Sequence, residues 1–167
     1  MMLTLPLSGC LSTEDEEEPL QKFPEFSRVA DNSETYDNAR MAGAPFIVMF
    51  SAEWCNSPCY TTMHAIWSAK PNLPVLVMST DPVPNASGMT LSDWHESADA
   101  YDDDDNDSGV SLTTYAFMKG SDVGNALGIT KPGSLAFINA EGEITYLHEG
   151  RFDDQEKILM HWVEAGG

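Results

Sequence analysis

Two short apolar runs constrain this chain most: "PFIVMFSA" at 45–52 and "LPVLVMST" at 73–80. Side chains of a strand alternate between its faces, so a strand apolar at every position must be covered on both sides. Both runs are too short for buried helices. Between them, "CYTTMHAIWSAK" (59–70) places Met63, Ile66 and Trp67 at helical spacing, with Pro71 as the stop. A buried strand, a helix and a second buried strand imply parallel pairing, with helices on both faces of a sheet.

The remaining segments extend this α/β pattern. "DNSETYDNARMAGAPF" (31–46) predicts a helix capped by Asn32 or Ser33, ended by Gly43 and Pro45. "DPVPNASG" (81–88) reads as a loop. "TLSDWHESADAY" (90–101) predicts a helix begun by Thr90 or Ser92, "TTYAFMKG" (113–120) a short strand, and "SDVGNALGI" (121–129) a helix of one to two turns. "SLAFINAEGEITYLHEG" (134–150) predicts a hairpin turning at Ala140-Glu141-Gly142. "FDDQEKILMHWVEA" (152–165) closes the chain as an amphipathic helix, with Ile158, Leu159, Trp162 and Val163 on one face. The terminal hairpin makes the sheet mixed. Met49, Met63 and Met78 fall on apolar faces and serve as core filling.

The 167 residues suffice for one domain, and the balance of 27 acidic to 8 basic residues gives a formal charge of −19. Such a surface repels phosphates, which excludes nucleic acid as a partner. It suits either a well-solvated, self-repelling surface or a salty medium that screens it. In "DDDDNDSG" (102–109), Asp103, Asp105 and Asp107 alternate before Gly109 as calcium ligands do. The glycine comes late, however, and Thr114 stands where a bidentate Glu would close the loop, so the run reads as a hydrated insertion.

No apolar stretch approaches the roughly 20 residues that span a bilayer. The N-terminus offers another route to a membrane. Leu7-Ser8-Gly9-Cys10, followed by acids from Glu14 to Glu18, resembles the lipobox of prokaryotic lipoprotein precursors. That resemblance implies lipidation of Cys10 and an extracytoplasmic, membrane-anchored protein. The apolar segment is short and lacks a preceding Lys or Arg. Residues 1–22 are therefore read as a shortened lipoprotein-type signal and acidic tether, and residues 23–167 as the domain.

Cys55 and Cys59 follow the first buried strand. "FIVMFSAEWCNSPC" (46–59) resembles the strand and Trp-Cys-x-Pro-Cys motif of the thioredoxin superfamily. "ALGITKPGSLAFINAEGEI" (126–144) resembles its cis-proline segment, strand, turn and strand. The resemblance covers about residues 25 to 165 and implies a three-layer thioredoxin-like fold with a mixed central sheet. It implies a monomeric thiol–disulfide oxidoreductase whose partners are protein thiols and disulfides and which needs no cofactor. Cys55 would be the nucleophile, exposed at a helix N-terminus where the dipole favours thiolate, and Cys59 the resolving thiol. Trp54, Pro58, Lys131 and Pro132 would contact substrate, with Pro132 as the cis-proline.

Three departures stand out. The spacing is Cys-x-x-x-Cys. The buried acid of the family's strand falls at Met49, although Glu53 is close in sequence. Lys131 stands before Pro132, where its cation could favour thiolate. Two rival readings remain open. Cys-x-x-x-Cys is also the thiolate pair of the Sco-type copper chaperones, which add a distant histidine. Neither His64, His95, His148 nor His161 occupies that place, and each is expected to be a surface or half-buried side chain, so no metal ligand is assigned. The pair could also be a permanent staple on a non-catalytic scaffold.

Overall fold

The computed structural model describes residues 19–82, 88–101 and 109–167. Cys10, the Asp103–Asp105–Asp107 run and most of the 81–88 loop lie outside them. Both apolar runs are strands: β3 (Phe46–Ser51) and β4 (Val75–Ser79) pair in parallel, joined by helix α2 (Ser57–Ala69). Strand β5 (Ala116–Lys119) continues the parallel side, and β6 (Ser134–Ile138) and β7 (Ile144–His148) add antiparallel strands. The five-stranded order is β5-β4-β3-β6-β7, a mixed sheet. Helix α3 (Leu91–Asp99) begins with a reciprocal capping box between Thr90 and Asp93. Helix α4 (Ser121–Ala126) precedes the hairpin and α5 (Gln155–Glu164) closes the chain.

Strand alternation divides the core into two layers. Ile47 and Met49, Val75 and Val77, Phe117, Leu135 and Phe137 face one apolar cluster with α2, α3 and α5. Phe46, Val48 and Phe50, Leu76 and Met78, Ala136 and Ile138 face the other, with Phe23, Phe26 and Val123 of α4. Both sheet faces are therefore covered. Met49, Met63 and Met78 are fully buried, as their spacing suggested. Gly120 lets α4 approach the sheet, because an added Cβ there would lie 2.7 Å from the Cβ of Met78.

Two expectations are corrected. Segment 31–46 is not one helix. Strands β1 (Ser27–Val29) and β2 (Thr35–Asp37) form an antiparallel hairpin, and only α1 (Asn38–Met41), capped by Asp37, is helical. The polar side chains that look like helix caps build the turn. Glu34 N–H donates to the Asn32 side chain at 3.0 Å, and Ser33 adopts a positive φ of 65°. Asp31 is drawn to the sheet edge, where its N–H donates to the Phe117 carbonyl and its carboxylate accepts the Phe117 N–H. In α5 the inward face is Ile158, His161, Trp162 and Ala165; Leu159 and Val163 point outward, Val163 being 60% exposed. Positions 158, 161, 162 and 165 form the stripe that meets α2 and the sheet, and 159 and 163 lie about 100° round from it.

Seven of the eight Lys and Arg residues form ion pairs. Lys22, Arg28, Arg40, Lys131, Arg151 and Lys157 pair with Glu143, Asp122, Glu34, Glu149, Asp153 and Asp154 near the surface. Lys119 pairs with Glu53, and Lys70 lies over the Trp162 ring at 5.7 Å. Exposed pairs of this kind contribute about 0–1 kcal/mol each, so the two-layer core holds the fold.

Candidate active site

Strand β3 ends at Ser51, and the loop that follows carries Glu53, Trp54 and Cys55 to the N-terminus of α2. Cys55 and Cys59 form a disulfide with Cα atoms 5.8 Å apart. Asn56 is the helix N-cap, Ser57 opens α2 and Pro58 is its second residue, where a missing N–H costs nothing. Cys55 thus lies just before the helix and Cys59 inside its first turn. Cys55 is less exposed than its expected place at a helix mouth suggests, at 7%, because it packs into the α2–α3–α5 apolar cluster. Cys59 is fully enclosed. Trp54 beside them is 65% exposed.

Pro132 stands at the same end of the sheet. Antiparallel β6 starts at Ser134 opposite Phe50, and Gly133 N–H donates to the Phe50 carbonyl at 2.8 Å. Gly133 has a φ of +91°, a conformation that suits glycine, and an added Cβ would approach the Arg151 backbone at 3.4 Å. Lys131 is exposed and its ammonium lies 3.9 Å from Glu149. Hydrogen bonds from the Thr130 hydroxyl and N–H, ahead of the Lys131 charge, hold the Glu149 carboxyl below its usual range. Lys131 therefore faces a carboxylate.

A polar network that the sequence did not reveal fixes the loop before Cys55. Asp81, just beyond β4, accepts the Glu53 N–H at 2.7 Å with one carboxylate oxygen. Its other oxygen accepts the Trp54 indole N–H at 3.0 Å. Asp81 N–H donates to Ser79 Oγ, which donates to Glu53 Oε1 at 2.8 Å. Lys119 at the end of β5 pairs with the same Glu53 oxygen. On the opposite side Ser57 Oγ and Tyr101 OH share a hydrogen bond of 2.7 Å, and the Tyr101 ring packs on Tyr60 and His64. Burial pushes the Tyr60 phenol upward, so it adds no charge beside Cys59 at neutral pH. The available signal was positional: Ser79 and Lys119 end parallel strands and Asp81 follows β4 by two residues, and that edge of an α/β sheet gathers functional groups. Asp81→Ala is expected to cost about 1–2 kcal/mol by urea unfolding and to shift Trp54 emission. An unchanged midpoint and spectrum would show that Asp81 does not hold the loop.

Two of the four histidines, His64 and His161, are more buried than expected. His64 Nε2–H donates to the Ala98 carbonyl (2.8 Å), and His161 packs on Tyr146 with Nδ1 2.7 Å from Glu164. Both are enclosed, whereas His95 and His148 are partly exposed. His95 bridges Asp31 and the Leu112 carbonyl, and His148 contacts the Arg151 carbonyl. Among the described residues no group of three His, Cys, Asp or Glu is placed to hold a metal.

No family model and no curated protein matches the sequence. Solved structures do. A thio-disulfide isomerase from Thermus thermophilus superposes with a TM-score of 0.65 at 18% identity, over 90% of this chain and 99% of that one. The chain has the thioredoxin-like fold. An exposed lipoprotein thioredoxin of Streptococcus pneumoniae matches this thioredoxin-like chain with a TM-score of 0.57 at 20% identity, covering 84% of it and 99% of the pneumococcal chain. A SCO1/SenC family lipoprotein from Bacillus anthracis matches at 0.61 and 12% identity, covering 88% and 96%. These thioredoxin-like neighbours include disulfide-exchange proteins and lipoproteins. Among the described residues no helix is long and apolar enough to cross a membrane.

Proposed function

We propose that the chain is an extracytoplasmic thiol–disulfide oxidoreductase, tethered by lipid at Cys10, with Cys55 and Cys59 as its redox pair. The observation that carries the reading is the disulfide itself, formed at the N-terminus of α2 between two cysteines of unequal access and flanked by exposed Trp54. In the reduced state the Cys55 thiolate attacks a substrate disulfide. The substrate S–S bond breaks, a mixed disulfide forms, and the departing sulfur leaves as a thiolate that takes up a proton. Cys59 then gives up its proton and attacks Cys55 Sγ. The Cys55–Cys59 bond re-forms, the second substrate sulfur is released as a thiol, and two electrons have passed to the substrate. Because Cys55 precedes the helix and Cys59 is enclosed, the order of attack is Cys55 first. Trp54 and Pro58 flank the pair in sequence, Lys131 and Pro132 precede the start of β6 opposite Phe50, and these four would seat the partner's polypeptide.

Similarity to a lipoprotein thioredoxin and the Leu7–Cys10 motif support the tether. The copper reading fares worse. When reduced, the pair supplies two soft sulfurs, yet the described residues gather no third ligand around it, and all four histidines are engaged elsewhere. The test is reduction of insulin disulfides by the protein with dithiothreitol as electron source. Wild type accelerates it and Cys55→Ser falls to the uncatalysed rate. Full activity in Cys55→Ser ends this mechanism. A disulfide that stays closed at potentials below about −300 mV would make it a staple.

A further inference from the structure

The end of the sheet away from the cysteines carries a cleft of about 380 Å³, at the lower end of the range of about 300–1,000 Å³ usual for small-molecule sites. Its floor is apolar. Phe23 meets Phe46 edge to face with ring centroids 6.0 Å apart, and half-buried Met41 of α1 lines the same cleft. Phe46 opens β3, so the cleft and the Cys55 loop stand at opposite ends of that six-residue strand, a length of about 17 Å. The walls are braced by the protein itself. Phe23 N–H donates to the Gly142 carbonyl at 2.9 Å, which ties the N-terminal segment to the β6–β7 turn. Asn38 accepts the Phe26 N–H and donates to the Pro24 carbonyl, which ties that segment to α1. Lys22 pairs with Glu143 and donates to the Glu141 carbonyl. The ammonium and the amide of the lining are therefore already engaged. Its other two charged side chains, Glu25 and Glu141, are exposed at the rim, and among the described residues no donor or cation meets either carboxylate.

We propose that this cleft binds a small organic cation, an ammonium group carried on an apolar or aromatic body. The body displaces water from Phe23, Phe46 and Met41. The ammonium is held at the rim by charge-assisted hydrogen bonds to Glu25 and Glu141, and the aromatic floor adds its own attraction for a cation. An anion is disfavoured at the same place, because Lys22 is neutralised by Glu143 and the chain carries a formal charge of −19. A neutral apolar molecule leaves both carboxylates unanswered. Since the walls are tied together before any ligand arrives, binding orders little of the chain. The site lies a strand's length from Cys55 and does not depend on the redox reading above.

The test is an NMR titration of the isotope-labelled protein with phenethylammonium chloride at neutral pH, read from backbone amide shifts. Saturable shifts are expected at Phe23, Met41 and Gly142. Methylammonium, which lacks the apolar body, phenethyl alcohol, which lacks the charge, and phenylacetate, which reverses it, are each expected to bind at least about threefold more weakly. Glu25→Gln/Glu141→Gln is expected to weaken phenethylammonium binding by about threefold or more. Glu96→Gln/Glu156→Gln removes the same charge from exposed positions on α3 and α5, and is expected to weaken it by less than that. Shifts that never saturate or that fall elsewhere overturn the assignment. So does any of the three comparison compounds binding as tightly as phenethylammonium. An equal loss in both double variants overturns it as well, since it would reduce the effect to the general field of an acidic chain. Shifts of the same residues on raising the protein concentration without the probe would place a second copy in the cleft, which also overturns it. A disulfide that stays closed, or full activity in Cys55→Ser, defeats the redox reading and leaves this result standing.

Discussion

Replacing Cys59 by Ser is expected to turn the protein into a trap for its partners. In this variant Cys55 still attacks a disulfide, but no thiol inside α2 displaces the product. The mixed disulfide then decays only by outside exchange, on the minutes-to-hours scale of uncatalysed disulfide rearrangement. Covalent adducts visible on non-reducing gels and cleaved by dithiothreitol are the readout. Cys55→Ser is expected to give none, because Cys59 is enclosed and cannot reach a second protein. The asymmetry is the informative part. If the Cys55→Ser protein accumulates adducts and Cys59→Ser does not, the roles assigned from access are reversed.

The second large effect lies away from the cysteines. Asp31 joins the β1–β2 hairpin to the sheet: its carboxylate accepts the Phe117 N–H at 2.8 Å and faces His95 Nδ1 at 2.6 Å. His95 in turn stacks on Phe117 and reaches the Leu112 carbonyl. One side chain thus holds three segments of the chain, all but closed to solvent. Asp31→Ala leaves a backbone N–H and an imidazole nitrogen without their partner, each worth about 1–3 kcal/mol when buried. A loss of about 2–4 kcal/mol in urea unfolding is expected. A double-mutant cycle with His95→Ala should show coupling of about 1 kcal/mol or more. A loss below about 1 kcal/mol would mean that the hairpin is held by Phe23 and Phe26 packing alone.

How much of this could be read from the sequence follows from the range of each interaction. The β3 and β4 runs, the Pro71 stop, the Gly142 turn and the Cys55–Cys59 placement are local patterns, legible without coordinates. The segment around Asn32 and Ser33 misled because the residue types that cap helices also close turns, and tertiary pairing of Asp31 with Phe117 decided between them. The outward turn of Leu159 and Val163 needed knowledge of where α5 meets α2. The network beneath Trp54 was the least legible part. Glu53 meets Ser79 across 26 residues and Lys119 across 66, separations over which no motif or periodicity carries information.

The pairing of the cations has a consequence for encounter. The chain carries 8 Lys and Arg residues, and each is claimed, seven by a carboxylate and Lys70 by an indole ring. Nineteen negative charges are left uncancelled at neutral pH. The net charge repels a diffusing anionic molecule and attracts a cationic one within about a screening length. Sorting of visitors therefore starts in the surrounding electrolyte, before any collision, and its strictness is set by the ionic strength of the medium.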